Sequence, residues 1–150
     1  MNNIIDRQTV VISVNLATFV PGPPEVQSQV QLPMNLRFAA DELILKAIVY
    51  NNTAATADVD DGVQIWCNIT NDHIIGAFPN SPLQAPVSLQ LDNHLKISNN
   101  FQTGNFLLQF QQTSAGNPAS YDSQPLISSQ NPQHTKGTVV LTFEFLKHSK

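Results

Sequence analysis

The sequence predicts an all-β protein, a single antiparallel β-sandwich domain over residues 1–150, on three observations. Apolar and polar residues alternate with a period of two, the repeat of a half-buried β-strand. Ten prolines spread along the chain argue against long helices. Charged residues make up 12% of the chain, about half the usual ~25%, and 15 Asn and 14 Gln take their place. A chain of this length has the size of one domain.

The first predicted strand covers residues 9–19. One face carries four aliphatic side chains, Val10, Ile12, Val14 and Leu16. The other face is also partly apolar, with Val11, Ala17 and Phe19. Apolar residues on both faces are typical of a strand that is buried on both faces. We therefore expect either a central strand or one that a neighbouring subunit covers. A Pro-Gly-Pro-Pro stretch at 21–24 ends it.

Residues 25–32 alternate again, and Pro33 is expected to break this second strand before an extended pattern resumes at 34–38. Residues 41–50 are the one stretch where a helix competes, because helix formers surround Asp41, which could cap a helix. The β-branched residues that follow favour a strand. With strict alternation its faces are Leu43/Leu45/Ala47/Val49 and Ile44/Ile48/Tyr50.

Further strands are predicted at 63–70, 74–78, 87–91, 95–98, 105–112 and 138–145. A hairpin turn is predicted between the strands at 87–91 and 95–98, formed by Asp92, Asn93 and His94. A polar segment at 113–136 separates the last two, and loops of that length are often functional. Strong strands at both ends predict that the first and last strands pair.

This inventory of eight or nine strands fits closed barrels, immunoglobulin-like sandwiches and jelly rolls. We prefer the jelly roll of the tumour-necrosis-factor-like kind, because it has eight strands in two sheets and tolerates long, irregular connections.

Composition and charge exclude several classes of function. The net charge is −4 and the seven Lys and Arg residues are scattered, which disfavours nucleic-acid binding because that needs a concentrated positive surface. The single cysteine, Cys67, cannot form an intrachain disulfide and falls on an inward face as an inert thiol. We expect no secretory signal, because residues 1–6 lack a basic segment followed by an apolar run of about 7–15 residues. We expect no membrane span, because no apolar stretch approaches ~20 residues.

No pattern predicts a catalytic centre, a metal site or a cofactor. The Asp-Val-Asp-Asp-Gly stretch at 58–62 resembles a calcium loop, but its sixth and twelfth positions hold Val63 and Ile69 instead of Gly and Glu. The four histidines lack metal-ligand spacing. An enzyme would need His94 or His134 to meet a carboxylate or hydroxyl group across a cleft, and no nucleophile motif supports that.

Trp66 is the most informative single residue. Strand alternation points it outward between Gln64 and Asn68. An exposed indole flanked by amides suits a sugar, which stacks on the ring and shares its hydroxyl groups with the amides. The interpretation we prefer is a subunit contact, where aromatic residues are enriched.

The apolar face Ile44, Ile48 and Tyr50 supports the same contact, because a soluble monomer rarely leaves such a row in water. We therefore predict an oligomer interface containing Ile44, Ile48, Tyr50 and Trp66. The alternatives are that a second sheet or the 113–136 segment covers this row, or that residues 41–50 form a helix.

The strand patterns at 9–19, 25–38, 63–70, 105–112 and 138–145 give the chain a family resemblance. Short, acidic and amide-rich, it resembles the single jelly-roll proteins of double-stranded DNA viruses and virophages, in particular their capsid, spike and tumour-necrosis-factor-like modules. The resemblance implies a trimer around a threefold axis that serves as a virion component or attachment module.

The sequence thus leads to a non-enzymatic viral structural or interaction protein, a homotrimer located in the virion or the host cytoplasm. Its expected partners are copies of itself, other virion proteins and glycans. The alternative hypothesis is a lectin-like carbohydrate-binding module whose site contains Trp66, Gln64 and Asn68.

Overall fold

The computed structural model describes residues 3–15, 29–52, 62–79, 86–113 and 137–149. These residues form six β-strands and, within those ranges, no helix. The all-β prediction is therefore confirmed, and residues 41–50 are a strand. The strands are β1 (Ile4–Asn15), β2 (Gln29–Asn52), β3 (Gly62–Cys67), β4 (Ile74–Pro79), β5 (Val87–Thr113) and β6 (Gly137–His148).

All strand pairs are antiparallel, in the order β1-β6-β2-β5-β3-β4. The long strands β2 and β5 each contribute one half to each of the two layers of the sandwich. The first layer contains β1, β6, the second half of β2 and the first half of β5. The second layer contains the first half of β2, the second half of β5, β3 and β4. The ladder between β2 and β5 is irregular between Asn35 and Glu42, where the chain passes from one layer to the other.

Counting the halves of β2 and β5 separately gives eight strand segments in chain order. Their order is 1-8-3-6 in the first layer and 2-7-4-5 in the second. This is the arrangement of a jelly roll, in which four antiparallel segment pairs wind around one core. The predicted sandwich is confirmed, and the eight segments come from six strands because two of them are long and bent.

Aromatic side chains from both layers meet in the core. Phe106 of the second layer contacts Phe143 and Phe145 of the first, with ring centroids 5.3 and 5.9 Å apart. At the other end of the sandwich, Tyr50 packs on Phe78 at 4.8 Å. All these side chains are buried. Their contacts hold the layers together, because large buried aromatic rings contribute the most apolar area.

The first and last strands pair, as predicted. Val10, Ile12 and Val14 lie opposite Phe143, Leu141 and Val139, and these side chains face the core. Residues 16–19 of the predicted first strand lie outside the described residues. The expectation that this strand is central is wrong: β1 is the edge of the sheet, and Val11 on its outer face is 61% exposed.

Pro33 does not break β2, contrary to the prediction. The strand continues through it, with Pro33 opposite Asn105 of β5. This half of β2 pairs on one side only, since β6 joins β2 from Glu42 onward. Proline is tolerated in an edge segment because no neighbouring strand needs its missing N–H group.

Asp92, Asn93 and His94 do not form a turn either, and β5 runs straight through them. Asn93 lies opposite Leu45 and His94 opposite Ile44. The polar character of this stretch has a tertiary cause. The Asn93 amide donates a hydrogen bond across the sandwich to the Ile75 carbonyl, and the other two side chains form ion pairs on the outer surface.

A β-bulge at Lys46 reverses the faces predicted for residues 47–50, whereas residues 43–45 keep theirs. The pairing of β2 with β6 passes from Leu45↔Phe143 to Ala47↔Thr142, which leaves Lys46 unpaired. One extra residue shifts the alternation of every residue after it. The inward side chains are therefore Leu43, Leu45, Ile48 and Tyr50.

Candidate functional site

Trp66 lies on the outer face of the second layer, as predicted. Its strand neighbours Ile65 and Cys67 are buried in the core, whereas Gln64 and Trp66 are half-buried. Because β3 lies between β5 and β4, its backbone groups are engaged on both sides, and only side chains are offered outward.

The side chains around Trp66 include several amides and two aliphatic residues. Gln109 of β5 lies opposite it on one side and Ile74 of β4 on the other. Further along the face, Leu107 pairs with Gln31 of β2. We call this surface the amide face; its residues are Gln31, Gln64, Trp66, Asn68, Leu107 and Gln109.

A depression of about 290 Å³ opens on the amide face. This volume is close to the lower end of the range for small-molecule sites, about 300–1,000 Å³. Its described lining consists of Trp66, Cys67, Asn68, His73, Leu107 and Gln109. The lining combines an aromatic ring and an aliphatic side chain with two amides, an imidazole and a thiol.

Two polar atoms of the amide face are covered and unpaired. Trp66 Nε1 and Gln64 Oε1 have no hydrogen-bond partner in the structure as described. Nearly all buried polar groups in folded proteins are paired, and an unpaired one costs about 1–3 kcal/mol. A donor and an acceptor left unpaired two residues apart mark this spot as energetically unusual.

Asn68 has a structural role that was not predicted from the sequence. Its Nδ2 donates to the Asn105 carbonyl at 3.0 Å, and its Oδ1 accepts from the Leu107 N–H at 2.9 Å. The side chain thus extends the pairing of β3 with β5 by one residue after the strand ends. One Nδ2 hydrogen and one Oδ1 lone pair are left over for a ligand.

The predicted interface row is not on the surface. Ile48 and Tyr50 are fully buried in the core, and Ile44 is only 5% exposed although it belongs to the outer face. The outward placement of Ile48 and Tyr50 was wrong because it assumed strict alternation across the Lys46 bulge. Of the four residues, Ile44 and Trp66 keep outward positions, and only Trp66 is not buried.

A different set of apolar residues occupies the outer face of the first layer. Val11 is 61% exposed and Val49 is 39% exposed. Val140 of β6 lies opposite Val49, and Thr142 of β6 lies between Val11 and Ala47; Ala47, Val140 and Thr142 are half-buried. We call the four apolar residues, Val11, Ala47, Val49 and Val140, the valine strip.

Ionisable side chains gather at the other end of the first layer. His94 Nδ1 lies 2.9 Å from Glu42 Oε1, and its Nε2 lies 3.2 Å from Asp92 Oδ1. The hydrogen bond with Glu42, followed by the contacts with Asp92, holds the pKa of His94 above its usual 6.5, although partial burial opposes this. The same contact with His94 lowers the pKa of Asp92.

His148 and Asp41 form a second pair nearby. His148 Nδ1 lies 2.6 Å from Asp41 Oδ1, and the His148 backbone N–H donates to Oδ2 at 2.8 Å. Burial pushes the pKa of Asp41 up, but the hydrogen bonds from His148 outweigh it and leave the pKa below 3.8. Asp41 thereby ties the end of β6 to β2.

These pairs border a second depression, of about 460 Å³, whose described lining is Asp41, Glu42, Lys96 and His148. An enzyme was expected to need His94 beside a carboxylate or hydroxyl group, and His94 contacts two carboxylates, those of Glu42 and Asp92. Both of its ring nitrogens are engaged by them, so neither is left to take a proton from a nucleophile, as the base of a hydrolytic triad must. His148 keeps Nε2, but the described lining includes no Ser, Thr or Cys.

The described residues contain neither a metal-binding cluster nor a membrane-spanning helix. No group of three or more His, Cys, Asp or Glu side chains there is arranged to hold a metal ion. That part of the chain also contains no helix able to cross a membrane. Residues 58–61 of the calcium-like stretch, His134 and residues 114–136 lie outside the described ranges.

No protein-family model and no curated protein matches the sequence. Among solved structures, a family two carbohydrate esterase from Cellvibrio japonicus aligns at 8% identity with a TM-score of 0.21. The alignment covers 93% of this chain and 34% of the esterase chain, so this chain spans about a third of that length. A likeness at this TM-score carries no argument about fold or function.

Sequence reasoning missed the histidine–carboxylate pairs and the valine strip. Glu42 and His94 are distant in sequence and meet only because β2 pairs with β5. The Val11 side of β1 was noted as apolar, but its partners Ala47 and Val49 had been assigned inward. The one signal for these pairs in the sequence was that Asp92 and His94, two residues apart, lie on the same face of a strand.

Proposed function

We propose that this protein is a non-enzymatic structural or interaction module that works as a homo-oligomer. In keeping with its resemblance to the single jelly-roll proteins of DNA viruses and virophages, the oligomer is a trimer. It serves as a virion component or attachment module, in the virion or the host cytoplasm. The observation that carries the self-association is the valine strip.

The valine strip suits contact with a second copy of the chain. Val11 and Val49 leave large parts of their side chains in water, and burying a valine completely stabilises an assembly by roughly 1.5–3 kcal/mol. The strip lies on an outer sheet face and reaches β1, the edge strand of the described sheet. It takes the place of the row Ile44, Ile48 and Tyr50 in the predicted interface.

The fold is compatible with this role. Jelly rolls are the domains of many viral capsids and of lectins, and the described ionisable pairs place no nucleophile beside a free base. Structural proteins of this kind need surfaces that recognise other proteins, and the two outer faces of this sandwich differ clearly in chemistry.

Sedimentation equilibrium at micromolar concentration tests the proposal. We expect three times the monomer mass for the wild type and a shift towards monomer for Val49→Asp, because a carboxylate in an apolar contact loses its hydration. Asn105→Asp, an exposed position on the other layer, is the matched control and should leave the mass unchanged. A wild-type monomer contradicts self-association; an assembled Val49→Asp variant shows that the valine strip is not the contact.

A further inference from the structure

The two outer faces of the sandwich differ in charge. The first layer carries Arg7, Glu144, Glu42 and Lys96 on its outer surface. The amide face carries no Lys, Arg, Asp or Glu, although His73 and Cys67 also line its depression, and its amides lie around Trp66, the only tryptophan of the chain. A surface without Arg or Lys offers little to phosphate, sulfate or carboxylate groups, which those residues recognise.

We propose that the amide face binds an uncharged oligosaccharide. Carbohydrate binding was the alternative suggested by the sequence; the structure adds the residues, the charge of the ligand and the position on the second layer. The amide face and the valine strip lie on opposite layers of the sandwich. Carbohydrate binding can therefore be tested independently of self-association.

The chemistry of the side chains fits a polyhydroxylated ligand. Each Gln or Asn amide provides both donors and an acceptor, and a hydroxyl group is likewise both donor and acceptor. Gln109, opposite Trp66, and Gln31, beyond Leu107, extend this pattern across three strands. The indole and the Leu107 side chain contact the C–H surface of a sugar ring, as apolar walls do in small-molecule sites.

Two unpaired polar atoms lie beside the depression. Trp66 Nε1 is a donor and Gln64 Oε1 an acceptor, and neither has a described partner. Trp66 lines the depression, whereas Gln64 precedes it by two residues on the same face of β3. Both atoms are covered, so a sugar hydroxyl group pairs with them only where the side chains above them move aside, and such pairing recovers part of the cost of leaving them unsatisfied.

A peptide is a poorer occupant of this face. Extended peptides bind by adding a strand to a free sheet edge, whereas β3 and this half of β5 have neighbours on both sides. The ligand must therefore be recognised through side chains alone, as a sugar is. Asn68 contributes little, because its amide is engaged with the β5 backbone.

A glycan array probed with the full-length protein tests the proposal. The array should carry neutral glucans, galactans, mannans and N-acetylglucosamine oligomers beside sialylated and sulfated glycans. We expect signals on neutral glycans only, weakened at least about tenfold by Trp66→Ala and about three- to tenfold by Gln109→Ala. The control Gln90→Ala removes an exposed amide from the first layer and should bind as the wild type does.

Gln109→Ala keeps the test valid if Trp66→Ala fails to fold, which circular dichroism will show. A blank array, signals confined to anionic glycans, or a folded Trp66→Ala protein that binds normally would each overturn the proposal. A blank array together with an intact oligomer overturns this inference alone and leaves the self-association standing.

Intrinsic fluorescence gives an independent readout. Since the chain has one tryptophan, its emission reports on position 66 and nowhere else. Titration with a soluble hexasaccharide of the strongest neutral array class should shift the emission saturably, and Gln109→Ala should move the midpoint to higher concentration. Emission that stays constant while the sugar binds places the ligand elsewhere and overturns the proposal.

Discussion

At the scale of single residues, the surface chemistry of this protein depends on a few side chains that connect distant strands. His94 connects β5 to Glu42 of β2, Asp41 connects β2 to the end of β6, and Asn68 connects the end of β3 to β5. Each acts where regular strand pairing ends or where side chains face the solvent.

His94 predicts a pH dependence. Its pKa is raised above 6.5 in the folded protein, so its stabilising contribution is complete below about pH 6.5 and is lost as the pH rises through the folded value. The side chain is 50% exposed, so we expect a loss of only about 0.2–1 kcal/mol. Urea denaturation at about pH 5.5 and pH 9 should show this difference in the wild type and not in His94→Gln. An NMR titration that gives His94 a pKa below 6.5 contradicts the assignment.

Asn68→Ala separates structural from ligand-binding amides. The substitution removes two hydrogen bonds to the β5 backbone, so the free energy of unfolding should fall by about 1–3 kcal/mol. Asn105→Ala is the control, because Asn105 takes part through its carbonyl, which alanine retains. Chemical denaturation measures both, and equal stabilities of the two variants would show that the Asn68 bonds contribute nothing.

At the scale of the elements, the sequence predicted strand positions well and strand continuity poorly. The period of two located all six strands, and the β1–β6 pairing followed from the apolar faces of the two end strands. Pro33 and the 92–94 stretch were taken as breaks because local turn preferences were read without knowing which segment is an edge and which side chains form ion pairs across strands.

The Lys46 bulge explains the largest error about the candidate site. A single unpaired residue moved Ile48 and Tyr50 from the outer face to the core, and nothing in the local sequence marks it. The pairing of β3 with β4 is irregular between Ile65 and Trp66, but the extra residue is Ile75 of β4, so β3 keeps its alternation and the outward position of Trp66 was predicted correctly.

Deletion of Lys46 tests the role of the bulge. Because Lys46 is the extra residue, strict alternation without it keeps Leu45, Ile48 and Tyr50 inward and Ala47 and Val49 outward, so we expect the deletion variant to keep its cooperative unfolding. Lys46→Ala keeps the extra residue and removes only a partly exposed ion pair with Asp92, at a cost of about 0.2–1 kcal/mol. Near-UV circular dichroism with thermal melting follows both variants, and a deletion variant that loses its cooperative transition would contradict this account of the bulge.

At the scale of the whole molecule, the jelly roll separates two surfaces that the sequence could not separate. The first layer presents the valine strip beside ionised groups, and the second presents the amide face. Trp66 was assigned by sequence both to an oligomer interface and to a sugar site; its placement on the layer opposite the valine strip is what favours the ligand. The resulting account has copies of the chain meeting through one layer while the other stays open.

Hydroxyl-radical footprinting read by mass spectrometry tests this division most directly. Oxidation of the wild type is compared below and above the concentration at which it assembles. The account predicts that Val11 and Val49 become protected on assembly while Trp66 stays equally reactive. Protection of Trp66 with unchanged oxidation of Val11 and Val49 would contradict it, because the amide face would then be the subunit contact.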